Sequence, residues 1–325
     1  MKAKILFGSV TALILLTWVS LNTGVIKLEN ILGLAMGNGP ADQIAIFNEI
    51  RAPRVLAAII VGAILGMSGA LSQGALRNPL AEPVLLGTSG GAALTTLIGV
   101  LLFDLSLGSP VAILLGVIGA LLATLFTYQL GRGGRNGFTF VVIGIAISAT
   151  LISIVGILSA MISKPEARGV TFWSLGTLSM ATKNQIAILL PIFILSLIAA
   201  IYISSELDYL AIGDLRAKHL GKDFVKIRFQ VFLIIAVSVG AITSVFGQIS
   251  FLALAIPHIV RAMIGPRHRA LVIHSALLGA SLLMLADLAA RTISKPNELP
   301  IGLMTALLGA PVLAIAARKW AQNNA

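Results

Sequence analysis

Few side chains in this sequence could do chemistry, and most of those stand where apolar runs begin or end. Arg51 and Arg54 sit in the tetrapeptide RAPR, and Arg291 closes ADLAAR four residues after Asp287. Two uses fit such arginines: pairing with acidic groups on a partner, or snorkelling to lipid headgroups. Asp287 at i−4 offers Arg291 a carboxylate within its own helix. His258, His268 and His274 lack the i, i+4 spacing around a glutamate that a zinc protease of the H-E-x-x-H type needs. Gly221-Lys222 resembles the end of a phosphate loop, but Asp223 follows it and Arg216 occupies the place of the first glycine. The chain therefore carries no nucleotide-hydrolysing motif. With no cysteine present, disulfides, thiolate metal sites and cysteine nucleophiles are excluded as well. No catalytic residue and no metal site is expected.

The stretch LRNPLAEPVLLG, residues 76–87, interrupts an apolar region with an arginine, an asparagine, a glutamate and two prolines. Pro79 and Pro83 push Asn78 and Glu82 out of helical geometry. Non-helical backbone at membrane depth must be shielded by protein or line a water-filled cavity, which makes a loop at a pathway one reading. A solvated turn is the other.

The elements that must position these residues follow from composition. Hydrophobic residues make up 58% of the chain and charged residues 11%, too few to cover a soluble fold of this size. Apolar runs of about bilayer length recur near 5–24, 54–76, 84–103, 109–130, 138–162, 185–205, 228–247, 249–264, 271–290 and 299–317. The chain is predicted to be an all-α polytopic membrane protein of ten spans, with the seventh and eighth open to being one kinked segment. Asp287 is the only carboxylate counted inside a span, and a proton-coupled carrier would be expected to hold ionisable groups near the midplane. Lys2 and Lys4 precede the first run, which lacks an A-x-A-like cleavage site and is expected to be retained. With both termini cytoplasmic, 15 of the Lys and Arg residues lie inside and 8 outside, in accord with the positive-inside rule. The net charge of +11 is then explained by topology and anionic lipid, without nucleic acid.

Small residues at Gly62, Gly66 and Ala70, and again at Gly116, Gly119 and Ala123, predict closely packed helices. The one long inside loop, near 206–227, has apolar residues at Leu207, Leu210, Ala211 and Leu215 with charges between them. One or two amphipathic surface helices are expected there, either lying on lipid or docking a cytoplasmic partner.

Two long stretches, RAPRVLAAIIVGAILGMSGALSQGALRNPLAEPVLLGTSGGAAL and the segment from GQISFLALAIPHIV to LLGAPV, resemble the FecCD-like permeases of bacterial ABC importers for iron-siderophores, haem and vitamin B12. The resemblance runs from about residue 45 to the C-terminus. It implies a single permease domain over residues 1–325 with the type II importer architecture, in the bacterial cytoplasmic membrane. The implied partners are a second permease, identical or a sister, two ATPase subunits that hold ATP and magnesium, and a periplasmic or lipoprotein binding protein. It further implies that Arg51, Arg54 and Arg291 dock the binding protein. Asn78, Pro79 and Leu80 would form a cytoplasmic gate, with Arg132 and Asn136 in a second gate loop that is more basic and glycine-rich than the family pattern. Leu210, Gly213, Asp214, Ala217, Leu220 and Gly221 would engage the ATPase. An iron-siderophore is the implied cargo, with haem and cobalamin as alternatives and an ion-coupled carrier as the competing class.

Overall fold

The computed structural model describes residues 2–24, 26–131, 133, 137–161, 166–294 and 297–311. Among these residues the regular structure is entirely helical. The ten principal helices are α1 Lys2–Asn22, α2 Ala52–Leu76, α3 Thr88–Phe103, α4 Pro110–Leu130, α5 Gly137–Ala160, α6 Lys183–Ala211, α7 Phe224–Phe246, α8 Leu252–Ile264, α9 His268–Ala290 and α10 Ile301–Pro311. Each overlaps one of the ten expected spans. Seven helical stretches are long and apolar enough to cross a membrane, while α3, α8 and α10 are shorter apolar helices.

Spans seven and eight are separate helices. Gly247, at φ 72°, ends α7 with its Cα pressed against the backbone of Trp173, where a side chain has no room. Gly247 N–H makes the last bond of α7, to Thr243 O at 2.8 Å, residues 248–250 are not helical, and Phe251 takes φ 66° before α8 begins.

The bundle is assembled around α2, whose stretch is 89% buried within the chain. Gly62 and Gly66 of the predicted small-residue row lie against the backbones of Gly279 and Ser275, and Gly69, next to the row's Ala70, lies against that of Ala253. Backbone contact of this kind replaces the hydrophobic drive that lipid cannot supply. Gly119 meets the Gly91 backbone in the same way where α4 crosses α3. By contrast, only 17% of the most apolar stretch of α5 and 6% of that of α1 are buried in this chain.

Candidate functional site

The N-terminal end of α2 and the C-terminal end of α9 carry the three arginines. Arg51 is 5% exposed, and its guanidinium donates to the carbonyls of Leu21, at 2.7 Å, and Ile26. Arg291 donates to Thr23 O at 2.8 Å, Ser20 O at 2.9 Å and Ser20 Oγ at 2.5 Å. Both therefore satisfy carbonyls around the C-terminus of α1, which a helix leaves without intrahelical partners. The positive charge also suits the negative end of the helix dipole. Arg54 instead reaches Asp287 Oδ1 at 2.9 Å through Nε and grips Glu298 with Nη1 at 2.7 Å and Nη2 at 3.0 Å. Asp287, 1% exposed, lies between Arg54 and Arg291, whose Nε is 3.3 Å from Oδ2. All three arginines are thus brought to one rim and engaged within the chain. The most outward charge of the cluster is Glu298, with a 34% exposed side chain.

Arg291→Ala is expected to release the end of α1 while the bundle stays folded. Amide exchange at residues 18–24 should quicken by about tenfold or more, since a hydrogen bond to a charged group contributes about 1.5–3 kcal/mol. Unchanged exchange there would show that α1 is held by other contacts.

The break after α2 is built in two parts. Arg77 closes α2 in the left-handed conformation, φ 50°, and Asn78 N–H returns to Gln73 O at 3.2 Å, a helix-ending pattern. The Asn78 side chain accepts from Leu80 N at 2.9 Å, and Leu80 is 49% exposed. The chain then climbs back into the bundle. Ser72 Oγ, one turn inside the end of α2, donates to Ala81 O at 3.1 Å. Ala81, Pro83 and Leu86 are buried, and the turn Pro83–Leu86 is braced by Ser148 of α5 donating to Val84 O and by Gly144 packed beneath Leu85 O. A solvated turn describes residues 77–80 only; residues 81–87 form the shielded loop. Arg132 and Asn136, expected in a second gate loop, lie outside the described residues.

Glu82 is the residue that the span-by-span count of carboxylates missed. It belongs to no helix, yet its carboxylate receives the Phe251 N–H at the start of α8, and Oε2 is buried without a hydrogen-bond partner. The flanking prolines were the available signal, because they fold the chain back to the depth of Ser72.

At the end of the bundle that holds Arg77, α6 continues to Ala211, so Leu207 and Leu210 are wholly buried parts of a long apolar helix rather than of a surface loop. A single short helix follows, Asp214–His219, framed by Gly213 at φ 104° and Gly221 at φ 74°. Ala217 is buried against the bundle, whereas Ile212 and Leu220 are 45% and 57% exposed. Lys222 reaches Glu206 at 3.0 Å and lies over the Tyr209 ring, and the hydrogen bond to Glu206 holds its ammonium above the ordinary value. Asp223 caps α7 through the N–H groups of Val225 and Lys226.

Between α3, α5 and the short helix Glu166–Ser174 lies a cavity of about 470 Å³. Ser159, Thr171, Ser174 and Gln248 give its wall a polar component, and the neighbouring Trp173 keeps a buried Nε1–H without a partner. No group of His, Cys, Asp or Glu side chains among the described residues could hold a metal ion.

Comparison with known proteins places this geometry. The model of the FecCD transport family matches residues 10–319. The hemin transport system permease protein HmuU of Yersinia pestis is 38% identical over 275 residues, covering 82% of this chain and 81% of that protein. The Fe(3+) dicitrate transport system permease protein FecD of Escherichia coli (strain K12) is 36% identical over 294 residues, covering 90% and 91%. A chain solved in an inward-facing conformation, and assigned to the metal-chelate type of ABC transporter, superposes with a TM-score of 0.85 at 27% identity. That match covers 98% of this chain and all of the other.

Proposed function

Because the chain belongs to the FecCD transport family, whose members are transmembrane permease subunits of ABC importers and not enzymes, we propose that it forms one wall of a pathway that carries an iron-siderophore-type chelate into a bacterial cytoplasm. The observation that carries this reading is the shielded break at residues 81–87. Irregular backbone is tolerated at membrane depth only where protein covers it or a cavity adjoins it, and here it adjoins α5, the helix least covered inside the bundle after α1.

The open face of α5 supports a second permease subunit, identical or related, as the opposite wall. Asn78, Pro79 and Leu80 stand at the inner mouth as its gate. The segment from Leu210 to Gly221, with Gly213, Asp214, Ala217 and Leu220, seats the ATPase subunits, which bring the ATP and magnesium that this chain has no motif to bind. In that seat the exposed Leu220 makes the contact, while Leu210 and Ala217 fix the segment to the bundle. Arg51, Arg54 and Arg291 shape the rim for a periplasmic or lipoprotein binding protein. Arg54 presents the negotiable charge there, since a partner carboxylate could replace Glu298 on it. Alternating access, driven by closure of the ATPase pair, is the corresponding mechanism. Haem is the second reading of the cargo, favoured by the similarity to HmuU.

Vesicles containing the chain with its ATPase subunits, and supplied with loaded binding protein, are expected to concentrate a ferric hydroxamate only when ATP is present. Competition by haemin distinguishes the second cargo. Concentration by this chain without the ATPase, driven by an ion gradient, would overturn the reading in favour of a secondary transporter.

A further inference from the structure

Arg228 lies in the second turn of α7 and is 1% exposed, one of the largest fully buried side chains of the chain. Its Nε donates to Ala75 O at 2.9 Å, a carbonyl in the last turn of α2. Its Nη1 and Nη2 donate to the two carboxylate oxygens of Asp214, at 3.1 and 2.9 Å. The guanidinium also stands 5.6 Å from the Phe224 ring centroid. Asp214 opens the short cytoplasmic helix, and a second cation reaches it: Arg77 Nη2, 3.3 Å from Oδ1. Arg77 is the residue at which α2 ends and the inner-mouth loop begins.

We propose that Arg228 is a positioning residue that couples the cytoplasmic helix to the inner mouth, holding Asp214 of that helix and the end of α2 in one planar grip. This rests on the permease reading above, in which the Asp214–His219 helix seats the ATPase and Leu80 stands at the gate. The chemistry suits transmission more than stability. A buried ion pair contributes little beyond what apolar residues of the same volume would give, yet a bidentate arginine fixes direction and register. The glycines framing the short helix supply the pivots. Gly213 and Gly221 both have positive φ, and a Cβ at Gly213 would meet nothing nearer than Arg77 Nη1 at 3.7 Å. With Ala217 buried against the bundle, a turn of the helix between those pivots moves Asp214, which carries the displacement to Arg228 and Arg77. Lysine at 228 would keep the charge and lose the fork.

The test uses the complete complex with its ATPase subunits. Since the chain has no cysteine, Leu80→Cys gives each copy of it one label at the inner mouth, read in a complex whose other subunits are cysteine-free by its rate of reaction with a membrane-impermeant maleimide from the cytoplasmic side. With Arg228 intact, the rate is expected to differ between the nucleotide-free complex and one trapped with ATP, magnesium and vanadate. Adding Arg228→Lys should reduce that difference by about tenfold, the scale of losing a charged hydrogen bond, while the assembled complex still hydrolyses ATP. Arg77→Gln removes the more exposed cation without touching the core and should act in the same direction, which keeps the test decisive if Arg228→Lys does not assemble. A nucleotide response that survives in either assembled variant would overturn the coupling role. Loss of hydrolysis in step with loss of the response would do the same, by assigning Arg228 to assembly alone. If Leu80→Cys with Arg228 intact shows no nucleotide response, the gate reading itself fails and takes this inference with it.

Discussion

Asp287→Ala is expected to destabilise the chain by about 3–5 kcal/mol, the cost of breaking a buried ion pair from one side. Its carboxylate is 1% exposed and shared between Arg54 and Arg291, so alanine leaves two cations facing each other where one anion had joined them. Arg54 retains Glu298, and Arg291 retains the carbonyls at the end of α1, but neither replaces the charge lost from the interior. Asp287→Asn should cost less, because an amide oxygen can still accept the Arg54 hydrogen bond. Combining Asp287→Ala with Arg54→Met should recover part of the loss, since removing both partners leaves a smaller uncompensated charge than removing one. Denaturation midpoints of the purified protein in detergent order the variants. Equal midpoints for Asp287→Ala and the unaltered chain would mean that the cluster is solvated.

The same cluster shows what the sequence made legible and what it did not. Asp287 and Arg291 are four residues apart on one helix, so their pairing follows from spacing. Nothing local connects Arg54 with Asp287 or Glu298, which are 233 and 244 residues away. Arg51 and Arg54 therefore look unpaired in the sequence, although the fold engages them, as it does Arg291, within the chain. Positions of the spans were readable because lipid imposes an apolar length on each one, and α6 overran its expected end only because Leu207 and Leu210 continue its buried face. Glu82 was hidden for the opposite reason. A count confined to apolar runs cannot see a loop that folds back between them, and depth is fixed there by Ser72, Phe251 and Ser148, three residues far apart in the chain.

Gly69→Ala is expected to be nearly as damaging as the loss of Asp287, although it adds a single methyl group. The added Cβ would fall on the backbone of Ala253 in α8, with the Ala253 carbonyl oxygen, carbon and Cα all in its way. Backbone atoms cannot rotate aside as a side-chain end can, so the two helices must separate. Separation is opposed one turn further along, where Gln73 Nε2 donates to Leu254 O at 3.1 Å and Arg261 holds the Gln73 oxygen at 3.1 Å. Overpacking costs typically about 1–3 kcal/mol, and here the lost hydrogen bonds add to it because Gln73 is buried and no water can replace them. Gly69→Val should extend the effect to loss of folded protein on size-exclusion chromatography. Gly156→Ala is the matching control: its Cβ meets nothing within 4 Å, and alanine improves helix propensity. If Gly69→Ala and Gly156→Ala melt alike, close backbone packing does not hold α2 against α8. If only Gly69→Ala falls, the Gly69–Ala253 contact is the joint that positions the loop after α2, because the helix it fixes ends at Arg77, where the loop begins.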